Sequence, residues 1–405
     1  MKILAVAPHV PYEGIPHAGG AYLLHHLEEL VRLGHEVSLL APGTAIQLEA
    51  LARAPAWLDV TVGADVRAPR SRVRVLGDAI YRRVMTAPPA PTAESLRSIL
   101  GAGLVARAAA ADVVELHWAD YARFSSRLRR ADVKTPVCVV EHDVDLEVGG
   151  RRARSHAVGY RRWLGLLSAP LRRELERRGL AAADLVAVFK PADEEVVRRA
   201  GIRTPVQLIE PWLDPPSDLN VTRTPGVVLF AGALFRRENE DALVWFLEEV
   251  WPRVAASSPE ARLHLVGAGA GARLEAAARS TRAVELVGEV PDLVPYYQTA
   301  SVFVAPLLVP GGLKFKVPQA MLCGLPVVAT SVAAEGVVEV APPGSLWGVA
   351  DDPADFAGAV VGALAAPQRA EEVGRAAARW SREFYAFPRS IARLSEAYGQ
   401  LVTGR

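Results

Sequence analysis

Cysteine is nearly absent from this chain of 405 residues, which contains only two, Cys138 and Cys323. Two cysteines cannot build a disulfide framework or a cysteine-rich metal site, so we expect both to be small, reduced and buried side chains. Long apolar runs are absent too. No stretch approaches the ~18 residues of a membrane-spanning helix, and the apolar part of the N-terminus is too short for a secretory signal. These absences favour a cytoplasmic protein.

Lysine is also scarce. Only five of the 46 cationic residues are lysines, and two of those five, Lys314 and Lys316, directly follow a Gly-Gly turn. In a chain that otherwise uses arginine, this pair indicates a need for compact positive charge at one place.

The net charge of the chain is only +1, but cationic residues are in excess in the segment 67–178. A basic segment can attract an anionic acceptor, a membrane surface or nucleic acid, and it can equally consist of solvated helix faces. The aromatic interleaving and the motifs of RNA-binding modules are missing, which argues against a nucleic-acid partner. Peripheral contact with the inner face of a membrane stays open, and the sequence does not indicate an oligomeric state.

Length and composition predict two α/β domains. A chain of this length with 51% hydrophobic and 22% charged residues can bury two cores. Segments typical of strands alternate with segments typical of helices on both sides of a proline-rich stretch at 210–225. We therefore predict doubly wound domains at 1–215 and 216–385 with a cleft between them, and a C-terminal helix at 386–405 that could pack back on the first domain.

The first domain opens with a strand–helix–strand unit, predicted at Lys2–Pro8, Ala21–Leu33 and Glu36–Ala41. Gly19 and Gly20 end the loop before the helix, at the edge of a parallel sheet where ligands bind. The spacing is not G-x-G-x-x-G, so a dinucleotide site is not indicated. A tight turn without any ligand explains the two glycines equally well.

Two further strands, Val113–His117 and Val137–Glu141, end in clusters of polar residues. The clusters consist of Glu115, His117, Trp118 and Asp120 in the first case and of Glu141, His142, Asp143 and Asp145 in the second. Histidines and carboxylates at strand ends suit acid–base catalysis or the hydrogen bonding of a sugar. His142 is the stronger candidate, although a merely exposed loop histidine would leave the same pattern.

The segment Ala300–Thr330 combines a strand, a Pro-Gly-Gly turn and a helix predicted at Lys314–Cys323. A glycine-rich turn before a helix leaves backbone N–H groups free at the positive end of the helix dipole, which suits a phosphate. Lys314 and Lys316 would add positive charge at the same place. A solvated helix start with ordinary surface lysines is the alternative.

Motifs in this order resemble the GT-B glycosyltransferases, specifically the retaining group known as family 4. The first-domain stretches that carry the resemblance are GHEVSLLAP (Gly34–Pro42), ADVVELHW (Ala111–Trp118), VVEHD (Val139–Asp143) and ADLVAV (Ala183–Val188). The second-domain stretches are VLFAGALFRRENEDAL, LHLVGAG, ELVGEVPDLVPYY and GGLKFKVPQAMLCGLPVVAT. One such motif would be weak, but this series keeps the family's order over nearly the whole chain.

The resemblance implies a nucleotide-sugar donor on the second domain, with a UDP- or GDP-sugar favoured and no separate cofactor. The acceptor on the first domain would be a small molecule, a glycan or a lipid-linked sugar. The donor-binding residues carried over by position are Gly19, Gly20, Gly232, Arg236, Gly288, Glu289, Val290, Gly311, Gly312, Leu313, Lys316 and Gln319. The implied catalytic residues are His142 beside the transferred sugar, and Lys314 and Arg237 at the diphosphate.

The resemblance also implies a mechanism. The leaving diphosphate must be neutralised as its charge develops, and lysine, arginine and a helix N-terminus can do this in a dry site. No D-x-D motif stands in a suitable context, so we expect metal-independent transfer with retention and without a carboxylate nucleophile. The acceptor would attack from the leaving-group face, with the diphosphate as base.

The chain departs from the family pattern at three positions. The two signature glutamates, eight positions apart, are replaced by Gly311 and Gln319, and the donor arginine expected after Gly232 is Ala233. An amide can still bind hydroxyls, but without the anionic charge that strengthens such bonds. These departures keep two alternatives open: an impaired homologue that serves as a binding partner of another transferase, and a GT-B enzyme of different chemistry, such as an epimerase, a phosphorylase or a pseudo-glycosidic coupling enzyme.

Overall fold

The computed structural model describes residues 1–15, 18–64, 93–144, 146, 160–213, 221–385 and 389–404. Much of the basic segment 67–178 lies outside these residues, and so does Asp145. The chain divides into two compact units. The first comprises Met1–Pro211 and Pro388–Arg405, and the second comprises Trp212–Phe387. The division therefore falls in the proline-rich stretch that the sequence marks as a linker.

The first unit is built on a seven-stranded sheet in which every neighbouring pair is parallel. Its strands are β1 (Lys2–Val6), β2 (Glu36–Ala41), β3 (Asp59–Val62), β4 (Val113–His117), β5 (Val137–Glu141), β6 (Leu185–Val188) and β7 (Val206–Leu208). Its helices are α1 (Ala18–Arg32), α2 (Ala45–Leu51), α3 (Ala93–Gly101), α4 (Leu104–Ala110), α5 (Ala119–Arg130), α6 (Tyr160–Ala181), α7 (Pro191–Arg199) and α16 (Arg389–Thr403).

The strand order of this sheet is β3-β2-β1-β4-β5-β6-β7. The order reverses between β1 and β4, where Ile3 pairs with Val37 on one side and Val113 on the other. All residues of β4 and β5 are buried, as expected for central strands covered on both faces. Ligands in such sheets bind beyond the carboxyl ends of the strands at this reversal.

The second unit repeats the arrangement with a six-stranded parallel sheet in the order β10-β9-β8-β11-β12-β13. Its strands are β8 (Val227–Ala231), β9 (Arg262–Val266), β10 (Val284–Gly288), β11 (Val302–Ala305), β12 (Val327–Ala329) and β13 (Gly348–Val349). Its helices are α8 (Arg237–Trp245), a π-helical turn (Phe246–Val250), α9 (Trp251–Ser257), α10 (Ala272–Ser280), α11 (Val294–Thr299), α12 (Lys316–Leu322), α13 (Ser331–Ala334), α14 (Pro353–Ala365) and α15 (Pro367–Tyr385). Two doubly wound α/β domains are thus confirmed.

The C-terminal helix α16 belongs to the first unit. Its Ser390 and Arg393 side chains bond to the carboxylate of Glu210. Ser395 contacts the ring of His35 at 2.7 Å, and the hydroxyl of Tyr398 reaches the middle of the sheet. Among the described helices, none is long and apolar enough to cross a membrane.

Two helices start at residues other than those predicted. Helix α1 begins at Ala18, so Gly19 and Gly20 lie in its first turn and not in the preceding loop. Helix α12 begins at Lys316, so Lys314 precedes it. At α1 the glycines obscured the start, because glycine has low helix propensity but is tolerated in a first turn.

The sequence also predicts an amphipathic helix over Glu240–Val254, closed by Pro252. The bounds of this predicted helix differ from the observed ones. The helical run continues to Ser257 through a π turn, in which the N–H of Trp251 bonds to the carbonyl of Phe246. Proline lacks an N–H, and here it occupies the first turn after the π segment, where the intrahelical bonding is already shifted.

Candidate functional site

Each unit has one group of candidate side chains near the carboxyl ends of its central strands. The group in the second unit is described first. In the second unit, Gly232 follows β8 and the Gly311–Lys316 stretch follows β11. We call Gly232, Arg236, Asn239, Lys314 and Lys316 the cation cluster.

Lys316 is the centre of the cation cluster. Its Nζ donates a hydrogen bond of 2.9 Å to Oδ1 of Asn239 and lies 4.1 Å from the centre of the Phe230 ring. A Cβ atom added at Gly232 would lie 3.0 Å from the same Nζ, so the ammonium group sits directly beside the end of β8. The sequence analysis names Lys316 as a donor-binding cation and leaves an ordinary surface lysine as the alternative; in the structure its ammonium group is directed inward.

The pKa of Lys316 is lowered to about 7. Burial is the largest cause, because an ammonium group loses its hydration, and the positive charges of Lys314 and Arg236 add to the effect. The nearby carboxylate of Glu238 opposes the shift without cancelling it. Three cationic side chains therefore lie close together, with Glu238 as a carboxylate 3.8 Å from Arg236, and this concentration of positive charge suits the binding of an anion.

Asn239 holds the cluster together and was missed by the sequence analysis. It is 5% exposed, its Nδ2 donates to the carbonyl of Ala233 at 2.7 Å, and its Oδ1 accepts from Lys316. The amide thus ties the loop after β8 to the start of α12. An asparagine inside a helix is unfavourable by propensity, and that was the available signal.

The backbone around the cluster is tightly packed. A Cβ atom added at Gly267, after β9, would lie 1.8 Å from the carbonyl oxygen of Gly232. Gly311 and Gly312 are buried, and Leu313 is 7% exposed. The Gly-Gly turn is therefore a packed wall of the site and not an exposed hairpin.

The two arginines named from the sequence differ in position. Both are exposed, but only Arg236 is close enough to influence the pKa of Lys316. Arg237 begins α8 and pairs at 3.5 Å with Asp241, which also binds Arg273. Arg236 is likewise paired, with its Nη1 3.8 Å from Oε1 of Glu238, so ion pairing does not separate the two arginines.

The remaining donor residues occupy two places in the second unit. Gly288 ends β10, with the exposed Glu289 and half-buried Val290 directly after it. Gln319 lies on α12 and its side chain bonds to the thiol of Cys323, one turn further along. Burial raises the pKa of that thiol to about 12. The cysteines themselves are free and buried, as expected.

The first unit carries a buried network of histidines, tyrosines and one carboxylate, which we call the histidine network. Glu115 of β4 is its hub and is completely buried. His26 Nε2 lies 3.1 Å from both carboxylate oxygens, His117 Nε2 lies 3.2 Å from Oε2, and the Tyr398 hydroxyl donates to Oε1 at 2.6 Å. Burial alone would raise the pKa of Glu115, but the neighbouring histidines hold it well below its usual value.

His142, the predicted sugar-binding histidine, is the outer end of this network. Its Nε2 lies 3.4 Å from Nδ1 of His117. Its ring stacks on Trp118 with centroids 3.7 Å apart and planes 3° apart. The residue is 8% exposed, so the alternative of a merely exposed loop histidine is excluded. Its Nδ1 is buried and has no hydrogen-bond partner among the described residues.

Trp118 is strained, and that strain supports a special role for this corner. Its φ of 72° is rare for a bulky residue and costs on the order of 1–3 kcal/mol. The indole fills the space above Gly19, where an added Cβ would lie 3.1 Å from the ring. Gly19 therefore admits Trp118 to the position where it covers His142, a role that differs from contacting a diphosphate.

Glu141 also stands out. It ends β5, is completely buried, and neither carboxylate oxygen has a hydrogen-bond partner in the described part of the chain. Burial raises its pKa well above the usual value, and the charges of Glu176 and Asp193 act in the same direction.

In one group of described residues, the potential ligand atoms lie close enough together to hold a metal ion. Single ligand atoms of His26, Glu115 and His117 lie within 4.8 Å of one another. These atoms already satisfy each other as hydrogen-bond donors and acceptors, and Tyr398 adds a further donor. We therefore assign the group to hydrogen bonding.

Two family models match the chain. The model described as "Glycosyl transferases group 1" matches residues 225–366, and the model described as "Glycosyl transferase 4-like domain" matches residues 18–212. Together they span both units, and the chain belongs to the group 1 glycosyl transferase family. A stretch of 116 residues is also 31% identical to an uncharacterized 44.6 kDa protein of the cps region of Klebsiella pneumoniae. That match covers only 27% of this chain and 30% of the relative.

Solved structures share the architecture over the full length. Sucrose-phosphate synthase from Thermosynechococcus elongatus is similar with a TM-score of 0.73, 18% identity and complete coverage of both chains. Anabaena HepE, crystallised with UDP and glucose, is similar with a TM-score of 0.65 and 17% identity over 98% of this chain and 99% of its own. Staphylococcus aureus TarM reaches 0.69 at 11% identity, covering 99% and 98%. Identities this low show the fold, and the GT-B architecture implied by the sequence is confirmed.

Proposed function

We propose that this protein is a retaining, metal-independent glycosyltransferase that moves a sugar from a nucleoside-diphosphate sugar to a hydroxyl acceptor. The observation that carries the proposal is the cation cluster. Lys314, Lys316 and Arg236 lie together at the strand-order reversal of the second sheet, and the desolvated Lys316 has no ion-pair partner within the described residues. A diphosphate would supply the missing negative charge and would restore the protonated state of Lys316.

The same cluster suits the chemistry. When the bond between sugar and diphosphate breaks, negative charge grows on the leaving group. Pre-oriented cations in a site from which water is excluded stabilise that charge most strongly. Asn239 keeps Lys316 in place before the donor arrives, so little reorganisation is needed. This supply of positive charge from side chains is our reason for proposing transfer without a metal or a separate cofactor.

A solved structure with the same fold supports the proposed donor class. HepE was crystallised with UDP-glucose, and with UDP. By analogy we propose a UDP-sugar donor for this chain, with a GDP-sugar as the second choice. The acceptor, a small molecule, a glycan or a lipid-linked sugar, would be recognised by the first unit with His142 beside the sugar. We propose a cytoplasmic location and, through the basic segment 67–178, peripheral membrane contact.

The direct test is isothermal titration calorimetry with UDP, GDP and ADP, followed by a transfer assay with the nucleotide sugar of the preferred base. Replacement Lys314→Ala should weaken binding and slow turnover, whereas Lys134→Ala should change neither, because Lys134 is an exposed lysine paired with Asp132 in the other unit. Anomeric analysis of the product by NMR tests retention, and unchanged turnover in EDTA tests metal independence. Unchanged turnover in Lys314→Ala would contradict the assigned role.

The impaired-homologue alternative rests on Ala233 and Gln319. It predicts no detectable affinity for any of the three nucleotides, which the same titration measures. Sedimentation with anionic and neutral lipid vesicles tests membrane contact separately: binding only to anionic vesicles is expected, and binding to neither argues against it.

A further inference from the structure

The hydrogen bonds of the histidine network all run toward Glu115, and this order determines which ring nitrogen of His142 is left to accept a hydrogen bond. We infer that Glu115 and His117 are positioning residues that fix His142 in one tautomer, with a hydrogen on Nε2 and a bare, hydrogen-bond-accepting Nδ1. This inference rests on the proposed function for the identity of the substrate, but the tautomer itself is a property of the free protein.

The direction begins at Glu115. An ionised carboxylate has only acceptor sites, and three groups that can donate converge on it: His26, His117 and Tyr398. The surrounding histidines hold the pKa of Glu115 well below its usual value, so the carboxylate is ionised near neutral pH. Because a lone pair of an imidazole facing this carboxylate would be repelled, the Nε2 atoms of both histidines must carry hydrogens.

The direction then passes along two branches. On one branch, His26 Nε2 faces Glu115 and its Nδ1 lies 3.1 Å from the hydroxyl of Tyr22. On the other branch, burial lowers the pKa of His117 and favours its neutral ring, so the hydrogen on Nε2 that faces Glu115 leaves Nδ1 bare to accept from Nε2–H of His142 at 3.4 Å. The neutral ring of His142 carries one hydrogen, and that hydrogen is on Nε2. Its Nδ1 therefore keeps a lone pair.

Neighbouring aromatic rings hold the His142 ring in this orientation. Trp118 stacks on one face of His142, and Tyr22 and Phe189 meet it edge to face at centroid distances of 5.4 and 5.3 Å. Burial lowers the pKa of His142 well below its usual value. A neutral ring is therefore expected at pH 7, and a neutral ring carries one hydrogen.

The consequence concerns the class of group that Nδ1 can meet. A bare imidazole nitrogen accepts a hydrogen bond from a hydroxyl or an amide N–H of a sugar or acceptor. It repels a carboxylate or phosphate at the same position, because that group has no hydrogen to give and the ring has no charge. We therefore expect the group beside Nδ1 of His142 to carry a hydroxyl or an amide hydrogen and not to be an anion.

The tautomer can be measured without any activity assay. In 15N-detected NMR spectra of histidine-labelled full-length protein, protonated and bare ring nitrogens resonate far apart. At pH 7 we expect His117 and His142 both to show a protonated Nε2 and a bare Nδ1, with assignment by His117→Phe and His142→Phe. A protonated Nδ1 on His142, or a doubly protonated ring, would overturn the inference.

Kinetics separates positioning from mere stability. We expect His142→Phe to lower kcat/KM roughly tenfold, the worth of one well-made hydrogen bond, and His117→Phe to lower it almost as much. The double variant should add little to either, because both act through one contact. The control is His35→Phe, a half-buried histidine that bonds Ser395 on α16, which should lower Tm and leave kcat/KM within about twofold.

The outcomes are distinguishable. If His117→Phe lowers Tm but leaves kcat/KM unchanged, as the His35 control does, then His117 is structural only and the inference is wrong. If the wild-type protein transfers no sugar at all, the proposed function fails, but the NMR spectrum still decides whether the network fixes the tautomer.

Discussion

Binding of a diphosphate at the cation cluster should take up a proton. In the free protein the pKa of Lys316 is about 7, because its ammonium is desolvated beside Lys314 and Arg236. A bound diphosphate places negative charge at that ammonium and should return its pKa toward the ordinary value of 10.5. The nucleotide and the proton are therefore linked ligands.

The magnitude follows from the pKa. At pH 8 only about one lysine in eleven would be protonated in the free protein, so each bound UDP should carry in about 0.9 proton. At pH 6 the uptake at Lys316 should be only about 0.1 proton. The observed affinity should fall roughly 50-fold between pH 7 and pH 9, since only the protonated site binds well. The terminal phosphate of UDP is largely ionised above pH 7.5 and contributes little there.

Calorimetry measures this uptake directly. Titrations of UDP at pH 8 in two buffers of different ionisation enthalpy give the number of protons from the difference in apparent heat. Lys316→Met has a side chain of similar length without the charge, so its proton uptake should disappear and its affinity should be weaker and nearly independent of pH. Lys134→Met is the matched control and should behave as the wild type. Uptake near zero in the wild type, or full uptake in Lys316→Met, would refute the reasoning.

Three further outcomes are expected. Without nucleotide, folded Lys316 holds fewer protons than the unfolded chain between about pH 7 and 10.5, so its contribution to stability rises with pH in that window; the Tm of the wild type should gain on that of Lys316→Met from pH 7 to 9, and a constant difference would contradict this. Asn239→Ala should lower the free energy of unfolding by about 1–3 kcal/mol in urea denaturation and weaken UDP binding, because it removes the side-chain bonds to the Ala233 carbonyl and to the Lys316 ammonium; unchanged values would remove the tethering role. Gln319→Glu should tighten UDP binding up to roughly tenfold if the side chain can leave Cys323 and face the ribose, and equal or weaker binding would place the amide elsewhere.

The fold was readable from the sequence because it depends on local signals repeated many times. Apolar strands, helix spacing and glycine or proline ends recur in order through both units, and an error at one end does not change the topology. The first residues of individual helices were harder to predict. Ala18 and Lys316 start their helices at places where glycines precede or follow, and local propensity is weak there.

The chemistry of the sites was less accessible, because it comes from residues that are distant in sequence. Lys316 was flagged as unusual, but its burial depends on Phe230 and Asn239 from two other elements. Likewise His117 could be named as a candidate, whereas the carboxylate that directs it is anchored by Tyr398 from the last helix. Only the folded chain shows that these side chains meet.

The most direct test of the central claim is a crystal structure of the full chain with UDP. The account predicts the diphosphate at the carboxyl end of β8 and β11, with its oxygens within hydrogen-bonding distance of Lys316 Nζ and of the Gly311–Gly312 turn. A nucleotide bound away from Lys316, or no bound nucleotide in crystals grown with excess UDP, would contradict it.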